Sequence, residues 1–106
     1  AMAEYLRCFQ RDTIHASCED YRAAASIDLD HDRADAGKKL SIPVLALSGA
    51  SSFVGKTIDI KAAWQEVCDK LFTGDVPGGH FLAEESPDAL LAVCLPFFER
   101  CHKPSD

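Results

Sequence analysis

Pro43-Val44-Leu45-Ala46-Leu47-Ser48-Gly49 is an apolar run introduced by a proline and closed by a glycine. Such a run, without alternation, is the pattern of a strand covered on both faces in a parallel sheet. Residues 50–57 after it form a loop of small side chains. Residues 59–70 predict a helix with Ile60, Ala63, Trp64, Val67 and Leu71 on one side, and Trp64 is expected in the core. A second strand is expected at 71–76, then a loop at 77–80. A final helix starts at Pro87, with Ser86 as its cap and the proline in its first turn. It carries Leu90, Leu91, Val93, Cys94, Phe97 and Phe98, and Pro96 is expected to kink it.

Toward the amino terminus, residues 3–10 and 13–27 both predict helices. The second sets Ile14, Cys18, Tyr21 and Ala25 at helical steps on one face, with Thr13 as its cap. Residues 28–35 continue as a short exposed helix ended by Gly37. The Ala1-Met2 opening reads as a cloning remnant and is set aside in reading the fold. The order helices, strand, helix, strand, helix is the α/β pattern with parallel strands, and there is no internal repeat or low-complexity tract. Two strands make a poor sheet, so further strands are expected beside them.

The composition narrows the function. The chain has 106 residues, 47% of them hydrophobic and 26% charged, which is ordinary for a small globular domain. Seventeen acids against eleven Lys and Arg give a net charge of −6, which repels phosphate backbones and argues against a nucleic-acid partner. Runs such as 89–93 and 43–47 are far shorter than the roughly 20 apolar residues of a membrane span. No basic region followed by an apolar run opens the chain, so no secretory segment is visible. Cys8, Cys18, Cys68, Cys94 and Cys101 are an odd set without a Cys-x-x-Cys pair, which points to a reducing, cytoplasmic setting.

Metal binding is not expected. Asp28, Asp30 and Asp32 match the first three acidic positions of a calcium loop, but Arg33 stands where glycine is needed and Lys39 where the bidentate glutamate belongs. These acids read as a solvated helical face. His15, His31, His80 and His102 are not paired with cysteines at zinc-ligand spacing.

One histidine is placed for chemistry. His80 lies in the glycine-flanked segment Gly78-Gly79-His80-Phe81, just after a predicted strand, at the carboxyl edge where α/β folds bind ligands. On its own, a loop histidine is more often a surface or packing residue. Gly78-Gly79-His80-Phe81-Leu82-Ala83-Glu84-Glu85-Ser86-Pro87, however, resembles the segment bearing the catalytic histidine of α/β-hydrolases. In dehalogenases and epoxide hydrolases that segment reads Gly-His-Phe, an apolar residue, proline and two glutamates, and Ala83 departs from it at the proline.

A second segment, Cys18-Glu19-Asp20-Tyr21-Arg22-Ala23 followed by Asp28-Leu29-Asp30-His31-Asp32, resembles the region between cap and core in fluoroacetate dehalogenases. The resemblance spans about residues 4–98 and includes 44–49, where the family usually has tryptophan at Ser48, and Ala63-Trp64. It implies the carboxy-terminal portion of an α/β-hydrolase fold: two parallel core strands with flanking helices and the last cap-to-core helices. Residues 1–37 would be the cap-to-core helical segment and 38–106 the carboxy-terminal part of the core.

The resemblance also implies a chemistry, of the haloacetate dehalogenase kind. An aspartate displaces halide from a 2-haloacid, and a histidine-activated water hydrolyses the resulting ester. His80 would be the base and Tyr21 would help hold the halide, with no cofactor or metal. In many α/β-hydrolases the acid that orients the histidine follows the strand equivalent to 43–48, where Ala50-Ser51-Ser52-Phe53 offers none and Asp59 lies further on. Fluoroacetate dehalogenases carry it after the preceding strand, so this gap favours them over epoxide hydrolases. No Gly-x-Ser-x-Gly occurs, so no serine nucleophile is present. The expectation is a hydrolase fragment that is inactive alone, its nucleophile and substrate-binding arginines lying upstream. The alternatives are an epoxide hydrolase-like fragment, one half of a split enzyme, and a non-catalytic truncated homologue serving assembly or binding. The incomplete sheet leads to one further expectation, association into a homo-oligomer.

Overall fold

The computed structural model describes residues 1–102, so the final residues of the expected 38–106 segment lie outside the described residues. The chain divides into two compact units, Ala1–Ala36 and the part from Gly37 onward.

The first unit is three helices, α1 (Met2–Cys8), α2 (Arg11–Ala24) and α3 (Ile27–Ala34). None contains a buried residue. Their ordering comes from local pairs at helical spacing: Glu4–Arg7, Glu19–Arg22 and Asp30–Arg33 are exposed ion pairs three residues apart. Exposed pairs of this sort contribute only a few tenths of a kcal/mol each, so α1–α3 lack the buried apolar face that stabilises most helices. Thr13 is not the cap of α2. The helix begins two residues earlier, after Gln10, whose side chain makes no capping bond.

The second unit holds the sheet. β1 (Leu40–Gly49) is followed by α4 (Phe53–Thr57) and α5 (Ile60–Gln65), then β2 (Cys68–Val76), α6 (Leu82–Glu85) and α7 (Pro87–His102). β1 and β2 are parallel neighbours, in continuous register from Pro43↔Lys70 to Gly49↔Val76. The register slips between Leu40 and Pro43, beside a nitrogen that cannot donate to a ladder.

Three boundaries differ from the sequence reading. The expected loop at 50–57 contains α4, because the Ser52 hydroxyl accepts a hydrogen bond from Gly55 N at 2.9 Å and caps a short helix. The expected helix at 59–70 starts as read, with Asp59 Oδ1 accepting from Ala62 N at 2.9 Å, but it stops at Gln65. Beyond it, Leu40 N donates to Val67 O at 2.8 Å, and Cys68, Asp69 and Lys70 join β2. Pairing with β1 overrides the helical periodicity there, and Cys68 is buried as a result. Trp64 is 39% exposed rather than in the core.

The apolar core consists of Ala46, Cys68, Val76 and Phe97. β1 is exposed at its start and buried only toward its carboxyl end, so the two-faced burial expected of this strand is met in its last residues alone. α7 runs on through Pro96 and delivers Phe97 edge-on to Phe72, ring centroids 5.7 Å apart. Arg100 lies over the other partner of that contact, 5.2 Å from the Phe72 ring centre. Among the described residues, no helix is long and apolar enough to cross a membrane.

Candidate active site

The carboxyl ends of β1 and β2 are knitted together by backbone. Ala50 N donates to Val76 O and Ser51 N to Gly78 O (2.9 Å each), while Ser52 N closes a turn onto Gly49 O (2.8 Å). The approach is so close that a Cβ on Gly49 would lie 2.0 Å from Gly79 O and 2.9 Å from Gly78 O. Only a residue without a side chain fits there, and the turn bearing His80 is seated directly against the end of β1.

The same turn is held from its other side by one carboxylate. Glu85, at the end of α6, accepts from Gly79 N through Oε2 at 2.6 Å and from Phe81 N through Oε1 at 3.0 Å. A Cβ on Gly79 would stand 2.9 Å from Oε2, so the glycine makes room for the carboxylate. The Gly79 N–H holds the Glu85 carboxyl below the ordinary glutamate value, helped by the Phe81 N–H and by positive charge on His80, with desolvation opposing. The two residues flanking His80 are thus tied to a single side chain five positions after it.

His80 itself is exposed, its ring edge-on to Phe81 with centroids 4.9 Å apart. It borders a hollow of about 180 Å³ shared with Leu47, Ser48, Gly49, Ser52 and Leu82. It also borders an open apolar groove of about 360 Å³ lined by Phe81, Ala83 and Leu90. A base in this position has solvent access and room for a small substrate beside it.

Among the described residues no carboxylate forms an ion pair or hydrogen bond with the imidazole. The segment after β1 supplies none: Asp59 caps α5, Asp75 accepts from the buried Ser48 hydroxyl at 2.7 Å, and Glu84 shares the groove beside His80 without bonding to it. Ser48 and Asp75 are register partners across the two strands. Tyr21 lies on α2 of the first unit and is 81% exposed. No group of three or more His, Cys, Asp or Glu among the described residues is arranged to hold a metal ion.

Two features escaped the sequence reading. In the sequence Glu85 is one of a pair of glutamates, and its spacing of five from His80 lets a helical side chain reach back to the turn. The Ser48–Asp75 bond had no signal, because it depends on which strand residues face each other.

A histidine on a glycine-built turn at the carboxyl end of a parallel strand, with helices around the strands, defines a hydrolase-like α/β protein with its site at the sheet edge. No family profile matches the chain. It is 33% identical over 84 residues to a fluoroacetate dehalogenase from Burkholderia sp, an alignment covering 79% of this chain and 28% of that protein. It is 38% identical over 99 residues to a soluble epoxide hydrolase from Corynebacterium sp. (strain C12), covering 92% and 33%. Two solved structures are similar throughout. One is described as a candidate acyltransferase from Salmonella enterica, with TM-score 0.88 and 38% identity over 93% of this chain and 33% of that one. The other is described as a candidate α/β hydrolase from Nostoc sp PCC 7120, with TM-score 0.90 and 45% identity over 95% and 35%. The chain has the fold of the carboxy-terminal portion of an α/β hydrolase, and the proteins it is similar to are α/β hydrolases. It spans 28% to 33% of the length of the curated relatives it matches.

Proposed function

We propose that these residues are the carboxy-terminal part of a hydrolase of the haloacetate dehalogenase type. The observation that carries this reading is His80, held at the carboxyl edge of β2 on a turn fixed by Gly49 and Glu85, in a chain similar to a fluoroacetate dehalogenase. In the complete enzyme an aspartate outside these residues attacks the halogen-bearing carbon of a 2-haloacid and expels halide, forming an ester. His80 takes a proton from water as its oxygen attacks the ester carbonyl, which releases the 2-hydroxyacid and restores the aspartate. Tyr21 helps hold the departing halide. These residues alone are inactive, because a base without its nucleophile loses the covalent step.

The test uses the chain joined to its upstream coding sequence. That enzyme releases halide continuously from a haloacetate, and its His80→Asn variant releases about one halide per subunit and then stops with the ester trapped. Sustained turnover in the variant would remove His80 from the mechanism. The similarity to an epoxide hydrolase over 99 residues favours a second reading, epoxide opening by the same ester chemistry. Against it stands the lack of any carboxylate between Gly49 and Phe53, where many α/β-hydrolases carry the orienting acid. Diol formation from an epoxide without halide release from haloacetate would decide for that reading.

A further inference from the structure

We infer that Glu85 is the positioning residue of the site: its carboxylate grips the backbone on both sides of His80 and so sets the direction in which the imidazole leaves the turn. The bonds to Gly79 N at 2.6 Å and Phe81 N at 3.0 Å use one oxygen each. With the residue before and the residue after held by one rigid planar group, the φ and ψ of His80 have little freedom left. Glu85 can do this because it ends α6, so the helix fixes its own backbone, and because Gly79 has no Cβ to block the approach. The imidazole has no carboxylate partner of its own among the described residues, so in this chain its orientation rests on the backbone beneath it and on the Phe81 ring.

The charge of Glu85 adds a second effect. The Gly79 N–H, then the Phe81 N–H and last a positive charge on His80 favour its ionised form, against desolvation. Glu84 and Asp88 are the other acids of this stretch, and among the described residues neither carboxylate bonds to the turn. If His80 is the general base of the proposed reaction, on which this part rests, the grip of Glu85 also aims the imidazole at the water it deprotonates. The grip on the turn does not depend on that reaction.

Hydrogen exchange and NMR on this chain test the grip without nucleophile or substrate. Glu85→Gln keeps the shape but leaves one acceptor oxygen and no charge. In that variant the Gly79 and Phe81 amides exchange about tenfold faster, the scale of one lost charge-assisted bond, and the His80 ring resonances shift and broaden. Amides of Leu47 and Phe72 in the strands exchange as before. Unchanged exchange at Gly79 and Phe81 would overturn the inference. Should the substitution loosen the strands as well, the wild-type chain carries the test: the Glu85 carboxyl, followed by carbon-13 NMR, titrates below the ordinary glutamate value, and the two amides and the His80 ring shift with the same midpoint. Amides and ring that ignore the carboxyl titration would overturn it equally. Neither measurement changes if the enzyme opens epoxides instead of cleaving carbon–halogen bonds, so failure here is separable from failure of the proposed function.

Discussion

A Cβ placed on Gly49 would lie 2.0 Å from the carbonyl oxygen of Gly79, closer than any side chain can approach. The contact is backbone to backbone, so no rotamer change can relieve it. Gly49→Ala therefore forces the His80 turn away from β1. The expected cost is about 3 kcal/mol, the upper range for an overpacked position, read as a lower urea midpoint, together with altered His80 ring resonances. A variant as stable as the wild type, with unchanged resonances, would mean the turn is not seated on β1.

Acid should weaken the turn through Glu85. Its carboxyl lies below the ordinary value of 4.5 in the folded chain. A group depressed on folding contributes stability that is complete above its unfolded value and is lost as pH falls through its folded value. The difference in urea midpoint between wild type and Glu85→Gln should accordingly be largest at neutral pH and shrink toward zero in acid. A difference independent of pH would show that the carboxylate form contributes nothing.

Among the described residues Phe97 is the one large aromatic side chain in the buried core, packed edge-on against Phe72. Phe97→Ala should cost about 3 kcal/mol, a large share of what so small a core supplies. Urea unfolding measures it, and a loss below about 1 kcal/mol, less than even a mild core truncation, would show that α7 is not anchored through this ring.

Self-association is expected. Each strand of the pair has one unpaired edge, and Ile42, Phe53, Phe81, Leu95 and Phe98 are all more than half exposed. Bare edges and apolar surface favour contact with another copy, with burial of roughly 1,000 Å² or more for a specific interface. Light scattering across a dilution series should show a mass above that of one chain. A monodisperse, cooperatively folding monomer at micromolar concentration would contradict this.

The parallel pair was readable because its signals are local. The run 43–49 is continuously apolar between a proline and a glycine, and β1 forms there, extended toward its start to Leu40. α7 starts at Pro87, where the proline suits a first turn, and α5 starts after Asp59, whose carboxylate caps it. The end of α5 was not readable, because residues 66–70 continue a helical apolar pattern and only pairing with β1 draws Cys68–Lys70 into β2. Trp64 was misplaced for a related reason: an apolar face on a helix says nothing about whether a layer exists to cover it.

The site divides along the same line. The identity of His80 and its position after a strand are properties of the sequence, since glycine, histidine and strand end are neighbours along the chain. That Gly49 makes room for the turn, that Glu85 reaches both of its amides, and that Asp75 is bonded to Ser48 rather than to His80 were decided by tertiary structure alone. Those contacts join residues up to 30 positions apart, from Gly49 to Gly79, or depend on which face of a strand a side chain takes. Hydrogen bonds a few tenths of an ångström long or short, and glycines with no space for a methyl group, leave no mark on composition or periodicity.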